Sequence, residues 1–396
     1  MCDTTPRSDP SSAPADVVAG AARPKLLFLV TEDWYFCSHR LPVARAARAA
    51  GFDVIIAARV AAHGECIRGE GFALRPLRWR RRGDGIVGAV RAIAEIARLY
   101  RAERPDVIHH VALKPILFGA VAARLAFGRK TPATVAAVMG LGTGFSSLYR
   151  SPLRRALRWA LGRSRVIVQN PDDSAALAAL GIEPARVELI RGSGVDIAHF
   201  APLPEPRGGM TVALVARMLK SKGVLDAAAA IRRLRAEGHA VELVLAGPTD
   251  PDSADSLTDE AMRTLGGEPG IAWLGRVADV REVWRRAQIA VFPSTYGEGL
   301  PKSLLEAAAC ARPIVAADIQ GTREIVRHGE TGILVPPGDL SALAEAIAAL
   351  AGDPARRTEL GRGGRALVER EFAETIVAEQ TVALYRRLLG ERKKKP

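Results

Sequence analysis

Val291 to Pro313 reads VFPSTYGEGLPKSLLEAAACARP, and the fold turns on this stretch. It begins inside the apolar run Ile289 to Phe292, which has the length and composition of a strand buried on both faces. Pro293-Ser294-Thr295-Tyr296-Gly297 then break the run. A helix restarts with Pro301 as its first residue, where a missing N–H costs nothing. Ser303, Leu304, Leu305 and Ala307 to Ala309 continue it, and Arg312-Pro313 end it. A strand, a turn and a helix in that order form the repeating unit of an α/β protein with a parallel sheet.

Two glutamates bracket the turn: Glu298 before the helix and Glu306 within it. The N–H groups of Gly299, Leu300, Lys302 and Ser303 surround the positive end of the helix dipole, a ready anion cradle. Glu306 reaches back toward the same end because helical side chains tilt toward the N-terminus. One cradle with a hydroxyl-seeking carboxylate on each side matches a nucleotide-sugar, a diphosphate between two polyols.

The chain has 396 residues, 48% of them hydrophobic, enough for two or three domains with real cores. No run is long and apolar enough to span a bilayer. The start lacks the basic and apolar segments of a secretory signal, so none is expected. Cys2, Cys37, Cys66 and Cys310 lie far apart with no C-x-x-C, which fits a reducing cytoplasm and neither a disulfide framework nor a zinc site. A net charge of +13 points to an anionic partner: nucleic acid, anionic lipid or a phosphorylated substrate.

Residues 1 to 24 are rich in Ser, Pro, Asp and Ala and read as a disordered tail. Strand–helix alternation follows. Strands are expected at 26–30, 54–57, 72–77, 107–109 and 134–138, with helices at 41–50, 86–101, 116–127 and 172–180. Ala201 to Gly209 (APLPEPRGG) is the linker. A second series has strands at 210–216, 241–246, 271–274, 289–292 and 314–316, and helices at 223–236, 341–350, 356–371 and 375–389. Two α/β domains with a cleft between them result, 25–200 and 210–374, with ligands at the carboxyl ends of the strands.

Arg217 and Lys222 in ARMLKSKG stand where the first strand of the second series meets its helix, and two cations there neutralise a diphosphate without a metal. Asp250-Pro251-Asp252 resembles a metal-binding pair of carboxylates but reads as a solvated loop. Gly140-Leu141-Gly142-Thr143-Gly144 lacks the G-x-G-x-x-G spacing and reads as a flexible loop. His109 and His110 end a strand, so one is expected in the packing, while one facing the cleft would orient a sugar hydroxyl or phosphate. Ser147 to Arg165 holds six arginines and no acid. Leu153, Ala156, Leu157, Ala160 and Leu161 fall at helical spacing opposite Arg154, Arg155 and Arg158, with Trp159 at the boundary. That pattern suits an interfacial helix on an anionic membrane, or equally a core helix with a solvated face. Leu77 to Arg82 (LRWRRR) is a second basic and aromatic patch.

With these residues in view, the chain from about Lys25 to Leu389 resembles glycosyltransferase family 4 of the two-domain GT-B fold. ARMLKSKG, WLGRVADV, FPSTYGEGLPKSLLEAAACARPIVAADIQGTREIV and GETGILVPPGD carry the likeness in the second half. PDVIHHVALKP, VMGLGTGF, VIVQNPDD and IRGSGVD in the first half resemble the subgroup that extends polyprenyl-diphosphate-linked glycans from UDP-sugars at the inner face of the cytoplasmic membrane. The resemblance implies a GT-B fold of two Rossmann-like parallel-sheet domains facing a central cleft. It further implies retaining transfer of a hexose or N-acetylhexosamine, with no metal or other cofactor. It assigns Glu298 to the donor sugar, Glu306 to the ribose, and Arg217 and Lys222 to the diphosphate. The backbone of Gly299 and Leu300 and the pair Arg276-Val277 join the donor side. On the acceptor side it places His109, His110 and Lys114, with Gly140 and Gly142 shaping the loop. The last helix, 375–389, is assigned to the first domain. Two other readings stand beside this one. A non-hydrolysing UDP-sugar epimerase needs no acceptor. A polyanion-binding protein would use the +13 charge, although no nucleic-acid-binding signature is present.

Overall fold

The computed structural model describes residues 23–79, 85–140 and 152–393. Seven strands, β1 (Lys25–Glu32), β2 (Asp53–Arg59), β3 (Ala73–Pro76), β4 (Val107–Val111), β5 (Ala133–Ala137), β6 (Arg165–Val168) and β7 (Val187–Leu189), form a sheet in the order β3-β2-β1-β4-β5-β6-β7. Six more, β8 (Met210–Val215), β9 (Val241–Ala246), β10 (Ile271–Trp273), β11 (Ile289–Phe292), β12 (Ile314–Ala317) and β13 (Gly332–Val335), form a second sheet in the order β10-β9-β8-β11-β12-β13. The strands pair in parallel. Both sheets are doubly wound, reversing direction at β1/β4 and β8/β11. The α/β class, the parallel sheets and the GT-B architecture read from sequence are present.

Burial on both faces explains why the central strands are nearly unbroken apolar runs. Along β8, Val212 and Leu214 join one core with Leu243, Leu245, Ile231 and Ile347. Ala213 between them faces the opposite core, with Phe292, Trp284, Leu304 and Leu305. This is the two-residue alternation of a strand. In the first sheet Leu27, Leu29, Ile55, Ile108 and Tyr100 form the corresponding core.

The chain divides into two compact units, Met1–Ala136 with Val382–Pro396, and Ala137–Thr381. Several elements went unread in the sequence: the helices Asp33–His39, Gly64–Gly69, Asp259–Gly266 and Arg281–Arg286, and the strands β6, β7 and β13. Each spans eight residues or fewer, too short for periodicity to register. Pro301 is not the first helical residue. At φ −66° and ψ 113° it is still extended, and the helix runs Lys302–Ala309. The proline ring fixes φ alone, and the extended ψ lets the chain leave the Gly299 turn before winding.

The Pro-rich linker has no regular structure, yet it is held along its length. Arg312, 3% exposed, donates to the carbonyls of Leu203 (3.2 Å) and Pro204 (2.8 Å). Gln288 Nε2 donates to those of Pro206 (3.1 Å) and Gly209 (3.0 Å). Arg357 pairs with Glu205 at 2.5 Å. Cys37 and Cys310 are free thiols. The Cys37 and Cys66 sulfurs lie 3.8 Å apart.

Candidate active site

The loops that follow β8 and β11 leave the carboxyl ends of neighbouring strands, at the point where the second sheet reverses direction. Sheets of this kind hold ligands there. Arg217, Lys222 and Glu298 all sit on these two loops. The loops are stitched together: Ser294 Oγ donates to the Ser221 carbonyl at 2.9 Å, and Thr295 N–H to the same oxygen at 3.0 Å. Asp255 anchors the first loop, accepting from the Ser221 N–H at 3.2 Å and from the Ser221 hydroxyl.

Lys222 Nζ is ion-paired to Glu298 Oε1, with the two side chains 15% and 20% exposed. The ammonium also lies 5.4 Å from the centre of the Phe292 ring, a cation–π distance. Arg217 Nη1 meets Asp250 Oδ2 at 2.5 Å. Asp250 is therefore no solvated loop residue: it is 8% exposed and its N–H donates to Ser256 Oγ. A buried carboxylate needs a counter-charge, and Arg217 supplies it. Each predicted diphosphate-binding cation thus has a carboxylate partner in the unliganded chain.

The Gly299 turn presents the helix Lys302–Ala309. Gly299 is squeezed: a Cβ there would stand 2.6 Å from the Met139 carbonyl oxygen. Gly140, at φ +98°, faces it from the other side, where a Cβ would stand 2.5 Å from Gly299 N. Only glycine fits at either position. The Gly299 carbonyl accepts from Asn170 Nδ2 at 3.0 Å, while Asn170 Oδ1 caps the helix Pro171–Ala179 by accepting from Asp173 N–H at 2.7 Å. Gly142 lies outside the described residues.

Glu306 points back along its helix, its carboxylate 4.0 Å from Lys302 Nζ and its side chain 13% exposed. Burial pushes its carboxyl up to about 7, against the opposing pull of Lys302. Arg276 is exposed on the loop after β10, and Val277 packs against the Trp284 core. Among the described residues no three His, Cys, Asp or Glu side chains gather in a way that would hold a metal ion.

In the first unit both histidines are fully buried, on opposite faces of β4. His110 Nε2 and the Tyr100 hydroxyl are 2.9 Å apart, within the helix-covered core, and burial pushes the imidazole down to about 3. His109 Nδ1 lies 2.5 Å from the Tyr385 hydroxyl, its ring packed on Phe28 at 5.1 Å between centres. Burial, followed by the charges of Arg40 and His110, holds its pKa well below the usual imidazole range. Its Nε2 has no hydrogen-bond partner among the described residues. Lys114 Nζ stands 5.4 Å from the Phe118 ring and 5.7 Å from that of Trp79.

The helix Pro152–Leu161 buries Leu157, Ala160 and Leu161 in the fold and leaves Leu153 and Ala156 exposed. Much of its apolar face is thereby committed to the core. Arg155 and Arg158 are exposed, Arg154 donates to the Ala179 carbonyl at 3.3 Å, and Arg163 covers the Trp159 ring at 4.8 Å. Residues 80–84, including Arg80 to Arg82, lie outside the described residues. No described helix is long and apolar enough to cross a membrane.

Sequence reasoning missed Asn170, Ser294, Asp255 and Tyr385. Asn170-Pro171 does carry a helix-start signal, a capping side chain before proline. Its second bond, to Gly299, left no local trace.

Residues 25–170 match the family described as glycosyl transferase 4-like, and residues 209–353 match glycosyl transferases group 1. The chain is 34% identical over 230 residues to the alpha-maltose-1-phosphate synthase of Mycobacterium tuberculosis, covering 52% of this chain and 58% of that protein. It thus spans little more than half the length of that relative. It is 26% identical over 385 residues to the putative glycosyltransferase EpsD of Bacillus subtilis, covering 91% and 96%. Among solved structures, Anabaena HepE in complex with UDP and glucose superposes with a TM-score of 0.75 at 19% identity, over 92% of this chain and all of that one. Two glycosyltransferase family models, 4-like over residues 25–170 and group 1 over residues 209–353, thus match successive parts of this chain, and its fold is that of GT-B.

Proposed function

We propose that the protein is a retaining, metal-independent glycosyltransferase. It moves a hexose or N-acetylhexosamine from a UDP-sugar to a polyprenyl-diphosphate-linked sugar, in assembly of a surface polysaccharide or other glycan. The observation that carries the reading is the Lys222–Glu298 ion pair beside the Gly299 turn. It gathers a diphosphate ligand, a sugar ligand and a helix N-terminus at one place. The complex of the similar Anabaena HepE with UDP supports a UDP donor. Residues 210–374 hold the donor, and residues 25–200 with 375–389 hold the acceptor.

As the glycosidic C–O bond breaks, negative charge builds on the β-phosphate of departing UDP. Arg217, Lys222 and the dipole of the helix Lys302–Ala309 stabilise it. Glu298 exchanges its bond with Lys222 for the donor sugar hydroxyls, and Glu306 takes the ribose. The acceptor hydroxyl attacks the oxocarbenium-like centre from the face that UDP leaves and passes its proton to the leaving phosphate oxygen. His109, buried in the unliganded chain with an unpartnered Nε2 among the described residues, orients a group of the acceptor sugar once acceptor binding uncovers it. NMR of the product's anomeric configuration checks this path, and an inverted centre overturns it.

A peripheral position on the inner face of the cytoplasmic membrane belongs to the same proposal. Ile86, Val87 and Val90 are 84%, 63% and 61% exposed at the start of the helix Gly85–Glu103, directly after the basic stretch Leu77 to Arg82. Apolar side chains beside a run of arginines suit an anionic bilayer surface. On the helix Pro152–Leu161, whose Leu157, Ala160 and Leu161 are spent on the core, Arg154, Arg155, Arg158 and Trp159 add cationic surface rather than a second apolar patch.

The test is thermal stabilisation by UDP, GDP, ADP and their sugars, with and without EDTA, followed by transfer to a polyprenyl-diphosphate sugar. A ligand at a hundredfold its Kd adds about 2.7 kcal/mol. Stabilisation by UDP-sugars that EDTA leaves intact is expected. No shift with any nucleotide overturns the reading.

A further inference from the structure

A second cationic site lies in the first unit, at the amino-terminal edge of β4 and β5. A cleft of about 460 Å³ is lined there by Arg101, Arg104, Lys130 and Arg392, with Asp106 as its single acid and Phe127 in its wall. His109 and His110 lie toward the other end of β4, where parallel sheets hold their substrates. The volume falls within the range of small-molecule sites, roughly 300–1,000 Å³.

Cations at this edge have an ordinary structural role, because the helices Gly85–Glu103 and Leu113–Phe127 both end here and expose carbonyls. That role accounts for Arg101, and Arg392 is likewise spent on a carbonyl, that of the loop before β4. Arg101 Nη2 donates to the Leu125 carbonyl at 2.7 Å, and Arg392 Nη1 to the Asp106 carbonyl at 3.3 Å. The Asp106 carboxylate is engaged as well, accepting from the Lys25 backbone N–H at 2.8 Å. Arg104 and Lys130 remain. Among the described residues neither side chain meets a carboxylate or a carbonyl, and both are exposed into the cleft. Arg104 holds this place at φ +48°, in the left-handed region after a helix end that glycine normally fills. A long cation thus stands where chain geometry favours no side chain at all.

We propose that this cleft binds a phosphate-bearing ligand, with Arg104 and Lys130 as its principal contacts. The guanidinium fork matches two phosphate oxygens, and the ammonium supplies a point charge beside it. Arg101 covers a helix-end carbonyl and Arg392 the loop carbonyl of Asp106, both of which would otherwise repel an anion. The ligand is either a free phosphorylated metabolite or the headgroup of an anionic lipid, since both present the same chemistry.

The experiment uses the full chain saturated with UDP, so that a second anion cannot occupy Arg217 and Lys222. Inorganic pyrophosphate is titrated by calorimetry into wild type and Arg104→Ala/Lys130→Ala. In parallel, both proteins are floated with phosphatidylcholine vesicles containing phosphatidylglycerol. Pyrophosphate binding that weakens tenfold or more in the double variant, with UDP binding unchanged, supports the proposal with a soluble ligand. Vesicle binding that falls equally, without pyrophosphate binding, supports it with a lipid headgroup. Binding of both probes unaltered by the substitutions, or no binding of either, overturns it. Lys130→Glu repeats the comparison at an exposed position if the double variant fails to fold. Neither readout depends on glycosyl transfer, so failure here leaves the proposed activity standing, and failure of that activity leaves this test intact.

Discussion

Lys222 and Glu298, 76 residues apart, hold each other across two adjacent loops, so in the proposed reaction the cation assigned to the diphosphate must leave this carboxylate when a donor binds. Glu298→Gln releases that cation. Turnover is expected to fall at least a hundredfold while the Kd for UDP stays the same or tightens, because Lys222 no longer has to leave a partner. Lys222→Ala is expected to weaken UDP binding instead. Calorimetric titration with UDP beside steady-state kinetics separates the two. Equal loss of affinity in both variants would contradict this division of roles.

Glu306 carries a pH dependence of definite sign. Its folded-state pKa, about 7, lies above the ordinary 4.5, so burial of its charged form opposes folding. Below pH 4.5 the carboxyl is neutral in both states and the penalty is absent. It grows as pH rises through 7 and is complete above, at about 3 kcal/mol. Glu306→Gln is expected to stabilise the unliganded protein at pH 8 by up to that amount and to leave it unchanged at pH 4. In the proposed donor site it is also expected to weaken UDP binding at pH 8, because the carboxylate assigned to the ribose is ionised there. Melting curves and UDP titrations at both pH values check the pair of effects.

Gly299→Ala drives a methyl into the Met139 carbonyl, and backbone cannot step aside as a flexible side chain does. A loss of about 1–3 kcal/mol, as for other overpacked positions, is expected with loss of UDP binding. Gly352→Ala, with nothing within 4 Å of the added carbon, serves as the control and stays close to wild type.

Tyr385→Phe removes the only hydrogen bond to His109 Nδ1 among the described residues and strands a buried polar atom. The expected cost is about 1–3 kcal/mol. If His109 orients the acceptor, KM for the acceptor rises while the Kd for UDP is unchanged. Denaturant melts and donor titrations read the two effects separately.

Much of this was legible in the residues themselves. The apolar runs at β1, β8, β11 and β12 fixed a doubly wound parallel fold because strands buried on both faces admit little else. The places of Glu298, Arg217 and Lys222 on neighbouring loops were legible because strand ends and a helix start are local signals. Their partners were not. Asp250 looked solvated, since its neighbours are Pro, Asp and Ser, and only the fold brings Arg217 to it from 33 residues away. The histidine pair shows the same limit. Strand alternation correctly sends the two rings to opposite faces, but full burial of both depends on Tyr100 and Tyr385, the latter 276 residues distant from His109. The interfacial reading of the helix Pro152–Leu161 rested on an apolar stripe, and a stripe looks the same whether lipid or the protein's own core covers it.

Asn170 bears on how such enzymes can be recombined. One amide side chain starts the helix Pro171–Ala179 and steadies the carbonyl of Gly299, so these parts belong to one heritable block although the Pro-rich linker lies between them in the chain. A hybrid spliced at Ala201–Gly209 would inherit Asn170 from one parent and the glycine turn from the other, with Met139 and Gly140 mismatched against it. A crossover at Ala136/Ala137 keeps the whole contact set in one parent's hands. Donor preference should then travel with the segment from residue 137 onward, and specificity transplants cut at the linker should yield folded but idle proteins.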